Sequence, residues 1–139
     1  MLNQQTMSIL HSLKLFGMAR SLEERLADPK QASLSHAEFV GMLVQDEKTH
    51  RDNLRLRRLL KKAKLRQEAS LEDIDYGAPR GLSQQAMLEL ANPEWVPACR
   101  NVLVSGPAGV GKTYIACALG NAAARAGYTV LYMRAPRLV

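Results

Sequence analysis

A glycine-rich stretch in the last third of the sequence carries the residue types that bind phosphate groups. It fits G-x-x-x-x-G-K-[ST], the P-loop pattern, and consists of Gly106, Pro107, Ala108, Gly109, Val110, Gly111, Lys112 and Thr113. Glycines let the backbone turn tightly, so that successive N–H groups can face a phosphate at a helix N-terminus. In such a loop Lys112 reaches the β- and γ-phosphates, and the Thr113 hydroxyl holds Mg²⁺. The stretch therefore predicts a nucleotide–Mg²⁺ site.

The segments around this loop have the order that a P-loop needs. Residues 101–104 form an apolar run typical of a buried strand, and residues 112–125 have a helical pattern that ends before Gly127, a suitable C-cap. Residues 128–133 form a second apolar, β-branched and aromatic run. The sequence therefore predicts a β-α-β unit and, for the whole chain, the α/β fold class.

The residues upstream of the P-loop are predicted to be helical. Apolar residues at helical spacing predict one helix over residues 7–27, and a capping box formed by Ser35 and Glu38 predicts a second, long helix that ends at about Arg66. A segment dense in proline and glycine follows, with short helices expected at 71–75 and 84–91. We therefore divide the chain into a helical basic domain (1–68), a connector (69–100) and the start of a P-loop domain (101–139).

The positive charge of the chain is concentrated in one segment. The net charge is +6, and residues 48–68 hold nine basic side chains against two acidic ones. Several of these cations are spaced i, i+4 on the predicted helix, as in the pairs Arg51/Arg55 and Arg58/Lys62, where like charges repel. An external polyanion would offset this repulsion, although an acidic protein partner or a merely solvated helix face stays possible.

Double-stranded DNA is the polyanion that we favour for this segment. Lysine and arginine on phosphates give binding that depends on salt and tolerates many base sequences. A membrane surface fits less well, because few apolar residues interrupt the basic face. The predicted DNA-binding residues are Arg51, Arg55, Arg57, Arg58, Lys61, Lys62, Lys64 and Arg66.

Composition predicts a cytoplasmic protein. The two cysteines, Cys99 and Cys117, match neither a metal-binding spacing nor a secreted disulfide framework, which indicates a reducing compartment. The sequence contains no signal-peptide pattern and no apolar run long enough for a membrane span.

Several segments, taken in order, resemble the IstB-like ATP-binding proteins. This family comprises helper ATPases of insertion-sequence transposition in the AAA+ class, related to DnaC-type helicase loaders. The resemblance covers nearly the whole chain and rests on residues 13–19, 71–76 (Leu-Glu-Asp-Ile-Asp-Tyr), 79–82 (Pro-Arg-Gly-Leu), 101–120 and 128–138.

The resemblance implies a function and a domain order. Such proteins have a helical N-terminal part that engages DNA and partners, followed by an AAA+ domain that forms ATP-dependent oligomers and helps the transposase of the same element. ATP and Mg²⁺ are the implied cofactors, bound at Gly106, Gly111, Lys112 and Thr113. Members of the family continue past the position of Val139, so we expect the chain to be an N-terminal fragment of such a protein.

Hydrolysis is not expected from this fragment alone. Phosphoryl transfer needs a positioned water as well as a phosphate cradle, and residues 101–139 contain no aspartate or glutamate to orient one. Two alternatives to a transposition helper remain at this point: a DnaC-like helicase loader that shares the P-loop, and a non-enzymatic DNA-binding remnant.

Overall fold

The computed structural model of the chain describes residues 2–137. Within them lie five α-helices, joined by turns and short 3₁₀ segments: α1 (Leu2–Ser12), α2 (Phe16–Leu26), α3 (His36–Ala63), α4 (Gln84–Ala91) and α5 (Lys112–Arg125). The chain divides into two compact units, the first ending at Arg55 and the second beginning at Leu56. Leu138 and Val139, which end the predicted P-loop domain, lie outside the described residues, as does Met1. No helix between residues 2 and 137 has the length and apolarity needed to cross a membrane.

The predicted first helix is two helices, α1 and α2, separated at Leu13–Leu15. Lys14 adopts a left-handed conformation with φ 60°. Its N–H donates to the His11 carbonyl at 3.0 Å, and the Leu15 N–H donates to the Leu10 carbonyl at 2.9 Å. This pair of hydrogen bonds is a Schellman motif, which closes α1. The single helix predicted over 7–27 was therefore wrong, because periodicity does not reveal a left-handed residue between two helical runs.

A buried carboxylate joins α2 to α3 in the first unit. Glu47 of α3 is only 7% exposed, and its Oε2 accepts the Met18 N–H in the first turn of α2 at 2.7 Å. The negative charge lies at the positive end of α2, where it is favoured. Gly17 allows this approach, because a Cβ there would lie 2.5 Å from the Cβ of His50.

A second polar cluster joins the same pair of helices, between Asp46 of α3 and Ser21 and Arg25 of α2. Asp46 of α3 accepts hydrogen bonds from the Ser21 hydroxyl and from the Arg25 Nη2 at 2.8 Å. The hydrogen bond from Ser21 lowers the pKa of the Asp46 carboxyl below its ordinary value, and the hydrogen bond and charge of Arg25 lower it further. Ser21 is buried, so the cluster satisfies a hydroxyl that would otherwise lack a partner.

The long helix begins as predicted and ends earlier than predicted. The Glu38 N–H donates to Ser35 Oγ at 3.2 Å, and the Ser35 N–H donates to Glu38 Oε2 at 2.9 Å, which confirms the capping box. The helix ends at Ala63, and Lys64 adopts φ 52°. Lys64 and Arg66 therefore do not share the helical arrangement of the basic residues before them.

Helix α5 forms the centre of the second unit. Cys117 and Ala118 are fully buried, and Ala69 joins them in a core covered by Leu65, Leu71, Tyr114 and Tyr132. Gly120 permits close packing, since a Cβ there would lie 3.1 Å from Leu65 Cδ2 and 3.3 Å from Val130 Cγ1. Helix α4 also packs against α5. The segments before and after α5 in the sequence are thus held on the same helix.

The predicted β-α-β unit is absent from the described residues, so the α/β assignment was wrong and the fold is helical. Neither 101–104 nor 128–133 forms a strand, and Leu103, expected to be buried, is 94% exposed. In the second run the Tyr128 N–H donates to the Ala123 carbonyl at 3.0 Å and the Tyr132 N–H donates to the Ala63 carbonyl at 2.7 Å, both outside any ladder. A strand needs a row of backbone partners, and in residues 2–137 these two segments do not supply them to each other.

Replacing Gly17 by alanine should destabilise the first unit. The added Cβ would lie 2.5 Å from His50 Cβ and 2.8 Å from Glu47 Oε2, so the helices must separate at a cost of about 1–3 kcal/mol. This outweighs the gain of about 1 kcal/mol from removing a helical glycine. Urea unfolding followed by circular dichroism measures the difference. Gly41→Ala is the matched control. A Cβ at this position meets nothing within 4 Å, so the alanine should stabilise α3. If Gly17→Ala and Gly41→Ala stabilised the chain equally, the close approach of α2 to α3 at Gly17 would be contradicted.

Asp46→Asn should reduce the dependence of stability on pH. A carboxyl whose pKa is lowered in the folded state stabilises that state above its unfolded pKa of about 3.8, and this contribution is lost as the pH falls through the folded pKa. The variant should therefore be less stable than the parent chain near pH 7 and approach it at acidic pH. Urea midpoints between pH 3 and pH 7 test this. A stability difference that stays constant over that range would contradict it.

Candidate phosphate-binding site

The P-loop residues form an exposed turn that leads into α5. Gly109 and Gly111 have φ values of 83° and 104°, in the left-handed region that favours glycine. Gly111 is the N-cap residue, and its carbonyl accepts the Ile115 N–H at 3.0 Å in the first helical hydrogen bond. Lys112 and Thr113 are therefore the first two residues of the helix. The predicted helix over 112–125 is confirmed, and the motif's glycines serve its entry turn.

The backbone donors of this turn are not used by the described chain. Among residues 2–137, no backbone N–H of residues 106–111 donates a hydrogen bond to another backbone group. Helix α5 also receives no side-chain cap. An N-terminus with unpaired N–H groups attracts an anion, because the donors and the helix dipole act in the same direction.

The predicted side-chain ligands lie beside this turn. The Lys112 ammonium donates to the Gly106 carbonyl, which holds the side chain across the loop. Lys112 and Thr113 are both half-buried. A phosphate at the loop amides would meet a positive charge from Lys112, and the Thr113 hydroxyl, in the first helical turn, could bind its Mg²⁺. The residues present thus fit a nucleotide phosphate and its metal ion.

The connector brings an arginine to the same turn. The Nη1 atom of Arg80 lies 3.5 Å from the position that a Cβ would occupy at Gly111. The Arg80 side chain has no ion pair or hydrogen-bonding partner within residues 2–137. Sequence reasoning noted Arg80 only as part of a Pro-Arg-Gly-Leu segment and gave it no role, since spacing along the chain does not show that the connector returns to the loop.

The predicted DNA-binding residues are all exposed. In the first unit Arg51 donates to Glu47 Oε1 at 3.0 Å, so its charge is partly balanced; Arg55 belongs to the same unit. In the second unit, four cations lie on the last turns of α3: Arg57, Arg58, Lys61 and Lys62. Lys64 and Arg66 follow the end of the helix.

A basic cavity lies beside the end of α3 in the second unit. Its volume is about 550 Å³, and its lining residues are Lys64, Arg66, Leu131, Tyr132, Met133 and Arg134. The lining contains three cations and no acid. Sequence reasoning missed Arg134, because it follows a run that was assigned to a buried strand. The only sequence signal for it was the lack of acids in residues 101–139.

Comparison with known proteins identifies the class of this chain. The family model described as IstB-like ATP binding protein matches residues 8–139, which is nearly the whole sequence. The chain belongs to this family, as the resemblance predicted.

Its relatives are proteins of bacterial insertion sequences. The chain is 48% identical over its full length to a protein of insertion sequence IS1162 from Pseudomonas fluorescens, whose name assigns it ATP binding, and covers 61% of that protein. It is 41% identical, over 99% of its length and 56% of the relative, to the similarly named y4pL protein of Sinorhizobium fredii. An ATP-binding protein of an insertion sequence in Mycobacterium tuberculosis is 38% identical over 94% of the chain and 52% of its own length. The chain thus spans about half to three-fifths of these relatives.

Proposed function

We propose that this chain is the nucleotide-binding and DNA-binding part of an ATP-dependent helper protein of IS21-type transposition. Membership of the IstB-like ATP-binding family supports nucleotide binding, and the relatives named above belong to insertion sequences. ATP with Mg²⁺ is the proposed ligand of Gly106–Thr113. Double-stranded DNA, the transposase of the same element and further copies of the protein are the proposed partners.

The start of α5 is the observation that carries the nucleotide proposal. Helices α2, α3 and α4 each receive a side-chain oxygen near the N-terminus: α2 from Glu47, α3 from Ser35 and α4 from Ser83, whose Oγ accepts the Ala86 N–H at 3.3 Å. Helix α5 starts with a glycine and receives no side-chain oxygen among the described residues. A phosphate group supplies the missing oxygens.

The unbalanced charge of the second unit supports the DNA proposal. The cations of α3 from Arg57 to Lys62 are exposed, and no acidic residue lies among them. Such a surface attracts phosphates by charge alone, without reading bases. The basic cavity adds Arg134 to Lys64 and Arg66 in that unit, and Tyr132 provides an aromatic side chain in its wall.

A helicase loader is the less favoured alternative. It would share the P-loop and the ATP ligand, so the site itself does not separate the two functions. The relatives in several bacteria carry the names of insertion sequences, which favours transposition.

Lys112→Ala should weaken Mg-ATP binding by about tenfold or more, since a hydrogen bond to a charged group contributes about 1.5–3 kcal/mol. Thr113→Ala should instead remove the part of the affinity that depends on Mg²⁺ and leave binding in EDTA unchanged. Isothermal titration of the chain with ATP, with and without Mg²⁺, measures both effects. Lys30→Ala, an exposed lysine of the first unit, is the control and should bind like the parent. Equal affinities in the parent and Lys112→Ala would contradict a P-loop site.

Arg58→Glu combined with Lys62→Glu should weaken binding to duplex DNA and flatten its salt dependence. Each lost phosphate contact removes about 0.9 from the slope of log affinity against log salt. The loss should be similar for unrelated DNA sequences, because no base is read. Fluorescence anisotropy from 50 to 200 mM salt measures the slope. A double reversal at Lys30 and Arg100 changes the net charge equally and serves as the control. Equal losses in both double variants would mean that net charge, not this surface, determines binding.

A further inference from the structure

We propose that Arg80 is a second cationic ligand of the phosphate groups held at the P-loop, and that it comes from the connector rather than from the loop or α5. The inference rests on the proposed nucleotide function and deepens it, because it names a phosphate ligand outside the G-x-x-x-x-G-K-[ST] motif.

The position of the Arg80 guanidinium relative to Gly111 is the first observation. Nη1 lies 3.5 Å from the position that a Cβ would occupy at the N-cap residue of α5, which would be an ordinary van der Waals contact for a side chain there. Gly111 has no side chain to separate the guanidinium from the loop backbone. A phosphate that accepts the loop N–H groups would therefore lie close to Arg80, within reach of a small rotation of its side chain.

The connector is held on α5 on both sides of Arg80. Before it, the Tyr114 hydroxyl donates to the Ser70 carbonyl at 3.3 Å and accepts the Ser70 N–H at 3.5 Å. After it, α4 packs against α5. Tyr114 lies in the first turn of α5, so the first attachment is next to the loop itself. Arg80 lies in the segment between these two attachments.

Local turns fix the backbone that carries the arginine. The Arg80 N–H donates to the Ala78 carbonyl at 2.8 Å, and the Gly77 N–H donates to Asp75 Oδ1 at 2.9 Å. Gly81 follows with φ 70°, a left-handed conformation. These bonds reduce the conformational freedom of the segment. Less entropy is therefore lost when the side chain binds a ligand.

Electrostatics gives the second, independent reason. The guanidinium lies near Gly111, the N-cap residue of α5, where the helix dipole is positive, so the local field is unfavourable for a cation. No carboxylate pairs with Arg80 within residues 2–137, and residues 101–139 contain no acid. An anion at the loop would convert this repulsion into attraction. Arginine also binds phosphate through two parallel N–H donors, a geometry that the Lys112 ammonium does not offer.

Arg80→Ala and Arg80→Lys test the proposal in the full chain, with ATP and inorganic tripolyphosphate as ligands. If Arg80 binds phosphate, alanine should weaken both ligands by the same factor, about tenfold, because one charge-assisted hydrogen-bonding group is lost. Arg80→Lys should recover part of the lost affinity, because lysine keeps the positive charge. The recovery should be incomplete, because lysine cannot donate two parallel N–H hydrogen bonds to one phosphate. Arg100→Ala, an exposed arginine elsewhere in the second unit, is the control and should bind both ligands like the parent. Circular dichroism checks that each variant keeps the helical content of the parent.

Three results would overturn the proposal, and they have different meanings. Parent-like binding by Arg80→Ala, together with a loss in Lys112→Ala, would leave the nucleotide site intact and remove Arg80 from it. A loss for ATP but not for tripolyphosphate would place Arg80 against the base or the sugar. Failure of the parent chain to bind either ligand would reject the nucleotide function and the role of Arg80 together.

Discussion

Close packing on α5 is the constraint on which the second unit depends. The helix buries small side chains, such as Ala118 and Ala123, so other segments can approach its backbone closely. At Gly120 both Leu65 and Val130 approach closely, since an added Cβ would lie 3.1 Å from Leu65 Cδ2 and 3.3 Å from Val130 Cγ1. Segments that are distant in sequence thereby become neighbours of one helix. The candidate phosphate-binding turn leads directly into α5, the helix around which the unit is packed.

Polar groups set the geometry of the first unit, where little apolar surface is buried. Glu47 is a buried charge, which is costly unless it is paired, and it is paired twice, with the Met18 N–H and with Arg51. Such a contact constrains position more strongly than apolar packing does, because a hydrogen bond fails when donor and acceptor move apart or lose alignment. Gly17 lets the helices come close enough for it to form. The position of α2 on α3 therefore depends on the missing side chain at Gly17 and on two carboxylates of α3, those of Glu47 and Asp46.

Local sequence signals predicted the helix ends well. The Ser35–Glu38 capping box lies where expected, and Gly127 closes α5, with the Tyr128 N–H donating to the Ala123 carbonyl at 3.0 Å. Each of these signals depends on residues within a few positions of one another, so the local sequence is enough to predict where the helix begins or ends. The same motif that ends α5 at a glycine ends α1 at Lys14, where no residue preference indicates it. The break between α1 and α2 was missed for this reason.

Signals that depend on distant partners were not predictable in the same way. An apolar run such as 101–104 indicates that a segment could be buried as a strand in a sheet. Whether its ladder of hydrogen bonds to neighbouring strands forms depends on residues far away in sequence. In the described chain that ladder is absent, and Leu103 remains in solvent. The candidate nucleotide site shows the same division between local and distant signals. The motif was predicted from the sequence alone. Arg80 became a candidate only from the structure, in which the connector folds back on α5.

The two proposed phosphate sites should differ in physical character although both bind the same chemical group. The P-loop uses backbone N–H groups, one helix dipole and a lysine beside the loop, so its affinity depends mainly on short-range geometry. The exposed cations at the end of α3 act over a Debye length of about 8 Å at physiological salt, and their effect falls as salt rises. Salt therefore separates the two sites: raising it should release DNA well before it releases a nucleotide held by loop amides. Under the proposed function, the protein could then keep its nucleotide while it exchanges DNA.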